Sequence, residues 1–537
     1  MNSILDSVGR SRRISTQIAL SLALAASVSG LISAQAQMEA AAPQHAFFHI
    51  SLASSYSAPV SGRLLLFIAP PSGDGSSVDM NMMAPTSVTV AAKELRTLAP
   101  GEQVDLDADD LVFPGPLSQA APGHYRVQAV LDVLHNYNYN GRAPGDLVSA
   151  PISVDLPLTT SPLLTLSQVL PEPPDPLAQR PDVAAALKPL DFVSPVLTRF
   201  WGRDIHVRGW VLLPPGYESN PKETYPTVYF THGFGGTLQG LRARYAPVLY
   251  DRMKQGKMPE MIWVLLDESG PAGTHEFADS VNNGPWGEAL TAELIPSIEA
   301  HYRMDARTTG RFLQGHSSGG WATLWLQTHY PKMFGGTWST SPDPSDFHFF
   351  STIDLYAAHA NFFRNPDGTP TPIMRDHGKP LASMRQLAGM ESVIGDYGGQ
   401  LASFEWVFSP RGADGRPQPL FNRITGDIDP NVAAYWRSHY DIAEYLNGNW
   451  KTIGTDLRGK IHLVVGTEDT FYLDGAAHSL EATLNQLGGD PHFTFLPDKS
   501  HFNVYFKGED RWALFDQIAG EMYKVARPLV EGPIKSN

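Results

Sequence analysis

The segment from Thr308 to Pro331, TTGRFLQGHSSGGWATLWLQTHYP, constrains the fold more than any other part of the chain. A short run that favours a strand leads into Gly315-His316-Ser317-Ser318-Gly319-Gly320, and apolar residues at helical spacing follow. Glycines two positions before and two positions after Ser317 permit a turn so tight that a Cβ would collide there. A G-x-S-x-G pattern between a strand and a helix is typical of a nucleophile elbow, which holds a serine hydroxyl above a sheet. We therefore predict that Ser317 is a nucleophile.

Length and composition limit the classes of protein that this chain can belong to. Its 537 residues are too many for one ordinary domain and predict two or three. Hydrophobic residues make up 42% and charged residues 18%, which fits a globular protein with a large core. The formal net charge of -15, with no basic run longer than Arg12-Arg13, argues against a nucleic-acid partner. The absence of Cys excludes disulfides, Cys nucleophiles and Cys-based metal sites.

Residues 1–36 have the pattern of a signal peptide. Three arginines form a positive segment, an apolar stretch over 18–32 follows, and Ala34-Gln35-Ala36 matches a cleavage site. We expect a periplasmic or secreted protein with no stable membrane association after cleavage. An N-terminal membrane anchor is the alternative, which the short apolar run with its Ser and Gly residues disfavours.

The remaining chain divides into three regions. Residues 46–156 contain short strands separated by Ser, Pro and Gly, which predicts a small all-β sandwich of immunoglobulin type. We expect this region to be a packing module, with binding of a glycan or another partner as the alternative. Residues 157–191 are rich in Pro and predict a stiff linker. Residues 192–531 alternate strand and helix patterns, which predicts an α/β domain with a mostly parallel sheet.

Two loops of the α/β region are candidates for the environment of Ser317. A strand over 227–231 is followed by His232-Gly233-Phe234-Gly235-Gly236, and such a turn supplies one amide of an oxyanion hole. We predict the backbone N–H groups of Phe234 and Ser318 as the two donors. Trp286 follows the next strand, and we expect it either to contact substrate or to pack at the start of a helix.

A carboxylate and a histidine follow Ser317 in the chain order that a serine hydrolase requires. A strand predicted over 460–465 ends shortly before Asp469, and the strand predicted over 493–496 is followed by His501. In this interpretation Asp469 orients the imidazole of His501, which accepts the Ser317 proton and passes it to the leaving alcohol.

These motifs resemble the esterase family of the α/β-hydrolase superfamily, which includes esterase D, enterochelin esterases and feruloyl esterases. The resemblance covers about residues 197–529 and rests on HGFGG, ADSVNNGPWGEALTAELIPSIEAHYR, GHSSGGWA, GTEDTFY and the His501 loop. It implies an α/β-hydrolase domain and places the acid three residues after Gly466, at Asp469, with Glu468 and Asp474 as alternatives. An exported esterase with an immunoglobulin-like front domain is similar to this layout. Residues 343–440 depart from the family pattern, and we predict that this insertion is a lid that selects the substrate.

The sequence thus predicts a serine carboxylesterase that forms an acyl-enzyme on Ser317. We expect no cofactor and no metal, and a small-molecule or glycan-linked ester as substrate. An acyltransferase is an alternative, because water and an alcohol compete for the same intermediate. A non-catalytic binding protein on a hydrolase scaffold is another. The acyl group, the alcohol and the oligomeric state stay open.

Overall fold

Two β-sheets organise the chain. The structure, a computed structural model, describes residues 45–71, 77–81, 83–135, 141–395 and 399–528. One sheet lies within residues 47–169 and the other within residues 187–496. The predicted signal peptide lies outside the described residues. None of the described helices combines the length and the apolar character needed to span a bilayer.

The front region is all-β, as predicted. Apolar side chains from both ends of its strand order meet in one buried cluster, so the sheet folds over its own inner face. The order is β4-β1-β9-β7-β6-β2-β3-β5, and β8 pairs with β6. The strands are β1 Phe47–Leu52, β2 Val60–Ala69, β3 Thr89–Leu98, β4 Gln103–Asp107, β5 Val112–Phe113, β6 Gly123–Asp132, β7 Leu147–Ser149, β8 Ile152–Leu156 and β9 Leu163–Val169.

Strand pairing adds two details to the predicted organisation, and the second of them corrects the bounds of the linker. In the front region β7 pairs with both β6 and β9, so hydrogen bonding continues across it. The predicted linker over 157–191 contains β9 and also the first strand of the second sheet. Within this range only residues 157–162 and 170–180 lack strand and helix, and four prolines interrupt the second of these stretches. Proline has no backbone N–H, so a strand ladder ends there.

The second sheet is mostly parallel, which confirms the predicted fold class. Its order is β10-β11-β13-β12-β14-β15-β16-β17, and only the β10–β11 and β11–β13 pairs are antiparallel. Strands β12, β13 and β15 are buried along their whole length, as expected for strands covered on both faces. The strands are β10 Leu187–Val193, β11 His206–Leu212, β12 Thr227–Thr231, β13 Ile262–Leu266, β14 Arg311–His316, β15 Gly336–Thr340, β16 Ile461–Gly466 and β17 His492–Leu496.

Helices cover this sheet, and the central one, α5, is buried from its first residue almost to its last. The π-helical segments Leu241–Tyr245 and Ala289–Leu294 precede α3 and α4. The α-helices are α1 Pro181–Ala186, α2 Pro195–Trp201, α3 Ala246–Lys254, α4 Ile295–Glu299, α5 Ser318–His329, α6 Met384–Ile394, α7 Gln400–Phe408, α8 Pro430–His439, α9 Ile442–Leu457, α10 Leu473–Gln486 and α11 Ala513–Ala526, with one-turn segments at Leu238–Gly240 and Trp286–Glu288.

The insertion over 343–440 packs against the front sheet. It contains α6, α7, α8 and a ribbon formed by Pro372–Asp376 and Lys379–Ser383. Buried side chains of α6 join those of β2 and β3 in one apolar cluster. Arg63 of β2 donates from Nε to Val393 O at 2.9 Å and from Nη2 to Ser392 O at 2.7 Å. The front sheet therefore supports the insertion directly.

Candidate active site

Ser317 occupies a strained position between β14 and α5. Its backbone has φ 60° and ψ −126°, a combination that costs energy for any residue with a Cβ. A Cβ on Gly315 would lie 2.0 Å from Gly319 O, and one on Gly319 would lie 2.4 Å from His232 O. The Ser317 N–H donates to Thr340 O of β15 at 3.0 Å. The turn therefore needs both glycines and is tied to the neighbouring strand.

Asp469 and His501 form a buried hydrogen-bonded pair. Asp469 lies in the turn after β16, and its Oδ2 is 2.9 Å from His501 Nδ1. The Oδ1 atom of Asp469 accepts the Phe471 N–H at 2.9 Å, which fixes the carboxylate. Asp469 is 0% exposed and His501 4% exposed. A carboxylate at Nδ1 orients the imidazole and leaves Nε2 for proton transfer.

Ser317 and His501 line the same cavity, which has a volume of about 710 Å³. Among the described contacts no hydrogen bond joins Ser317 Oγ to His501. The ring of His316, the residue before Ser317, lies 4.5 Å from the His501 ring. Burial and the neighbouring His501 lower the pKa of His316 well below its usual value, so His316 is neutral beside His501. Catalytic hydrogen bonds often tighten only when substrate is bound, and the predicted proton transfer from Ser317 to His501 needs such tightening.

The loop after β12 lies directly against Ser317. A Cβ on Gly233 would lie 2.8 Å from the Ser317 Cβ, so only glycine permits this approach. Phe234, the next residue, lines the cavity. Ser318 is the first residue of α5, where the backbone N–H groups have no acceptor inside the helix. The two predicted oxyanion donors are thus carried by the two segments that flank the Ser317 hydroxyl.

His232 holds this loop through contacts of both of its ring nitrogens. It is buried, its Nε2 lies 2.9 Å from Asp267 Oδ1, and its Nδ1 lies 2.8 Å from Gly233 O. Burial opposes protonation of His232, but the hydrogen bond to Asp267 and the charge of that carboxylate favour it, and the His232 pKa is raised. Burial also raises the pKa of Glu268 to about 8.

Asp343 is a site residue that the sequence interpretation missed. It follows β15, accepts the Ser318 hydroxyl at 2.6 Å, and donates its N–H to Ser317 O at 3.2 Å. Burial raises the pKa of its carboxyl to about 6. The sequence could have indicated this role, because Asp343 follows the strand next to β14 and the carboxyl ends of parallel strands meet at one edge of the sheet. The sequence reading placed Asp343 at the start of the insertion instead.

Comparison with known proteins identifies the family. Residues 199–517 match the family described as "Putative esterase". The chain belongs to this esterase family. It is 34% identical over 140 residues to Esterase Rv1288 of Mycobacterium tuberculosis (strain ATCC 25618 / H37Rv) and equally to Esterase MT1326 of strain CDC 1551 / Oshkosh. That match spans 25% of this chain and only 29% of either relative.

Solved structures of other proteins also resemble this esterase-family chain. A ferulic acid esterase has a TM-score of 0.38 and 15% identity and covers 63% of this chain and 98% of its own. The fluorophosphonate-binding serine hydrolase F of Staphylococcus aureus has a TM-score of 0.36 and 13% identity, covering 64% and 98%. An S-formylglutathione hydrolase from Agrobacterium tumefaciens has a TM-score of 0.35 and 15% identity, covering 63% and 95%.

Trp286 packs at the start of a helix in this esterase-family structure. Trp286 is not among the residues that line the cavity. Its ring stacks on His275 at 3.6 Å, and its Nε1 donates to Asn283 O at 3.0 Å. These contacts hold the indole at the start of its helix, as the packing alternative predicts, and the substrate contact stays a prediction.

The two alternative triad acids point to Arg375 of the insertion. Asp474 accepts from Arg375 Nη2 at 2.7 Å, and a Glu468 carboxylate oxygen lies 4.0 Å from Arg375 Nε. Neither carboxylate is hydrogen-bonded to His501 among the described contacts. Asp469 remains the assignment that the geometry favours.

Two groups of described residues bring three potential metal ligands within 4.8 Å of one another, and neither lines the cavity. His45 of one group pairs with Asp107 at 2.7 Å. In the other group, Asp346 caps the turn at Phe347–Phe349, and Asp441 caps α9. These contacts account for the groups as structural features.

Proposed function

We propose that this esterase-family member is an exported serine carboxylesterase that works through an acyl-enzyme on Ser317. The observation that carries the proposal is the Asp469–His501 hydrogen bond, at 2.9 Å, beside the cavity that also holds the Ser317 turn. A serine on an elbow, an imidazole and a buried carboxylate are the three groups that activate a hydroxyl for attack on an ester.

The proposed reaction has two halves. Ser317 Oγ attacks the ester carbonyl carbon while His501 accepts the hydroxyl proton, and the tetrahedral oxyanion receives hydrogen bonds from the Phe234 and Ser318 N–H groups. His501 then protonates the alkoxide that leaves, and the acyl group remains on Ser317. A water molecule attacks the acyl-enzyme with His501 as base, which releases the carboxylic acid and restores Ser317.

The cavity and the N-terminus support the finer parts of the proposal. Aromatic side chains from the segments after β12 and after His501 line the cavity, which suits a small-molecule or glycan-linked ester. Export rests on the arginine-rich segment, the apolar stretch and the cleavage pattern of residues 1–36.

A covalent probe tests the nucleophile. A fluorophosphonate should label the wild-type protein on the peptide that contains Ser317, and mass spectrometry identifies that peptide. Ser317→Ala should lose labelling and should lower turnover of 4-nitrophenyl acetate by about 10⁶-fold. Ser438→Ala, which changes an exposed serine of α8, is the matched control and should keep both. An unlabelled wild-type protein, or a Ser317→Ala variant with a tenth of the activity, overturns the proposal.

A further inference from the structure

The charge of the cavity is opposite to that of the whole chain. The formal net charge is -15, yet no Asp or Glu is among the described residues that line the cavity. Two arginines, Arg244 and Arg511, line it together with Tyr245, Phe506 and Trp512. Positive side chains that line a cavity raise the local concentration of anions there, even in an acidic protein.

Neither arginine is neutralised by a carboxylate. Among the described residues Arg244 forms no hydrogen bond and no ion pair, and its guanidinium lies 5.7 Å from the Tyr245 ring centroid and 5.9 Å from that of Trp512. Arg511 also contacts an aromatic ring, since its guanidinium lies 5.5 Å from the Phe506 ring centroid. Contacts with aromatic faces hold a guanidinium in place without cancelling its charge.

Neighbouring arginines behave differently. Arg242, two residues before Arg244, is paired with Asp175. Arg252 is paired with Asp510 at 2.7 Å, so the acid next to Arg511 is already engaged. These two neighbours are thus engaged with carboxylates, whereas no ion pair is formed by either of the two arginines that line the cavity among the described residues.

Arg244 is also close enough to the reacting groups to matter electrostatically. After burial and the charge of His501, its positive charge is a further cause of the lowered pKa of His316, the residue before Ser317. A substrate with its ester carbonyl at Ser317 therefore lies within the field of this guanidinium.

We propose that Arg244 and Arg511 bind an anionic group, such as a carboxylate, on the ester substrate, and that the aromatic rings beside them pack on its apolar part. The inference rests on the proposed esterase function and names the substrate class. A guanidinium presents N–H donors in a planar fork, which suits a carboxylate or another oxyanion.

Two pairs of esters, each differing by one negative charge, test the proposal. In the first pair, mono(4-nitrophenyl) glutarate carries the charge on its acyl side and 4-nitrophenyl valerate is the neutral partner. In the second pair, 4-acetoxybenzoate carries the charge on its alcohol side and its methyl ester is the neutral partner. In at least one pair the wild-type kcat/KM should favour the anionic ester. Arg244→Gln and Arg511→Gln should each lower that preference by about tenfold, the effect of one charge-assisted hydrogen bond. Added salt should also weaken the preference.

Two further variants serve as controls. Arg96→Gln removes the same charge from an exposed position on β3 and should leave the preference unchanged. Arg244→Lys keeps the charge and should retain most of the preference. A wild type that favours the neutral ester in both pairs, or Gln variants that match Arg96→Gln, overturns the inference.

Failure of the esterase proposal can be distinguished from failure of the inference about the two arginines. It would appear as no turnover of either neutral ester by the wild type. In that event calorimetric titration of 4-acetoxybenzoate into Ser317→Ala protein still tests the arginines. Binding that Arg244→Gln weakens by about tenfold supports the inference, whereas no binding, or binding that the change does not affect, overturns it.

Discussion

The Ser318 hydroxyl donates to Asp343 Oδ2 at 2.6 Å, directly beside the candidate nucleophile. Asp343 also holds the Ser317 carbonyl through its own N–H, so one residue contacts both serines of the elbow. Its carboxylate lies within the field of His501 and Asp469 as well. Asp343 is therefore placed to position the elbow and to stabilise a positive charge on His501.

Asp343→Asn should lower kcat/KM by about tenfold at about pH 8, because the carboxylate that favours charged His501 is lost. Burial raises the Asp343 pKa to about 6, so the wild-type residue is neutral well below that pH. The ratio of wild-type to variant kcat/KM should therefore fall towards one on acidification, with a midpoint near pH 6.

Parallel pH profiles with a small ester measure this ratio. Asp354→Asn, an exposed change on the same insertion, is the matched control and should give a ratio of one throughout. A ratio for Asp343→Asn that does not vary with pH would assign Asp343 to packing alone.

The carboxylate pair after β16 gives a second prediction. Asp469→Asn should lower turnover by about 10⁴-fold, because an amide at this position favours the wrong imidazole tautomer. Glu468→Gln should have a far smaller effect, since Glu468 faces Arg375 and not His501. Turnover of 4-nitrophenyl acetate measures both, with circular dichroism to check folding. A larger loss in Glu468→Gln would contradict the assignment of Asp469.

The sequence was most informative where local chemistry determines the backbone. The Gly315 and Gly319 spacing predicted the tight turn, and the structure places a backbone oxygen within 2.4 Å of a Cβ at either position. Buried strands such as β12 and β13 were also predicted, because their apolar residues run without interruption. The roles of Ser317, Asp469 and His501 stay predictions.

Non-local contacts account for what the sequence did not predict. The residues of strand β9 were predicted to form part of a linker. The strand pairs with β7 and with β1, which lies more than a hundred residues earlier, and the local sequence does not indicate these partners. The joining of the front sheet through β7 depends on three residues that carry little strand signal. The packing of Trp286 depends on His275, and the role of Asp343 depends on the Ser318 hydroxyl. No local pattern encodes which distant residue a side chain meets.

The contact between the front sheet and the insertion gives a third prediction. Arg63→Met keeps the aliphatic length but leaves the Ser392 and Val393 carbonyls without their donors. Loss of these bonds should cost about 2 kcal/mol and lower the melting temperature by about 4 °C. Limited proteolysis should cut the insertion faster. Arg96→Met changes an exposed arginine of β3 and should alter neither measurement. Equal effects of the two changes would mean that Arg63 does not couple the front sheet to the insertion.

The last prediction concerns Glu268, which is fully buried and donates its backbone N–H to His232 Nε2 at 3.3 Å. Burial raises its pKa to about 8 from an ordinary value of 4.5, so the folded protein holds a proton there that the unfolded chain releases. A raised pKa stabilises the fold at low pH, and this contribution is lost as pH rises through the folded value. Between about pH 5 and pH 8 the melting temperature should therefore fall, and the fall should be smaller in Glu268→Gln, which keeps the shape but cannot ionise. Glu288→Gln, at an exposed position, should follow the wild-type curve. Differential scanning calorimetry across this range measures all three proteins, and a Glu268→Gln curve parallel to the wild type would mean that Glu268 is already ionised in the folded protein.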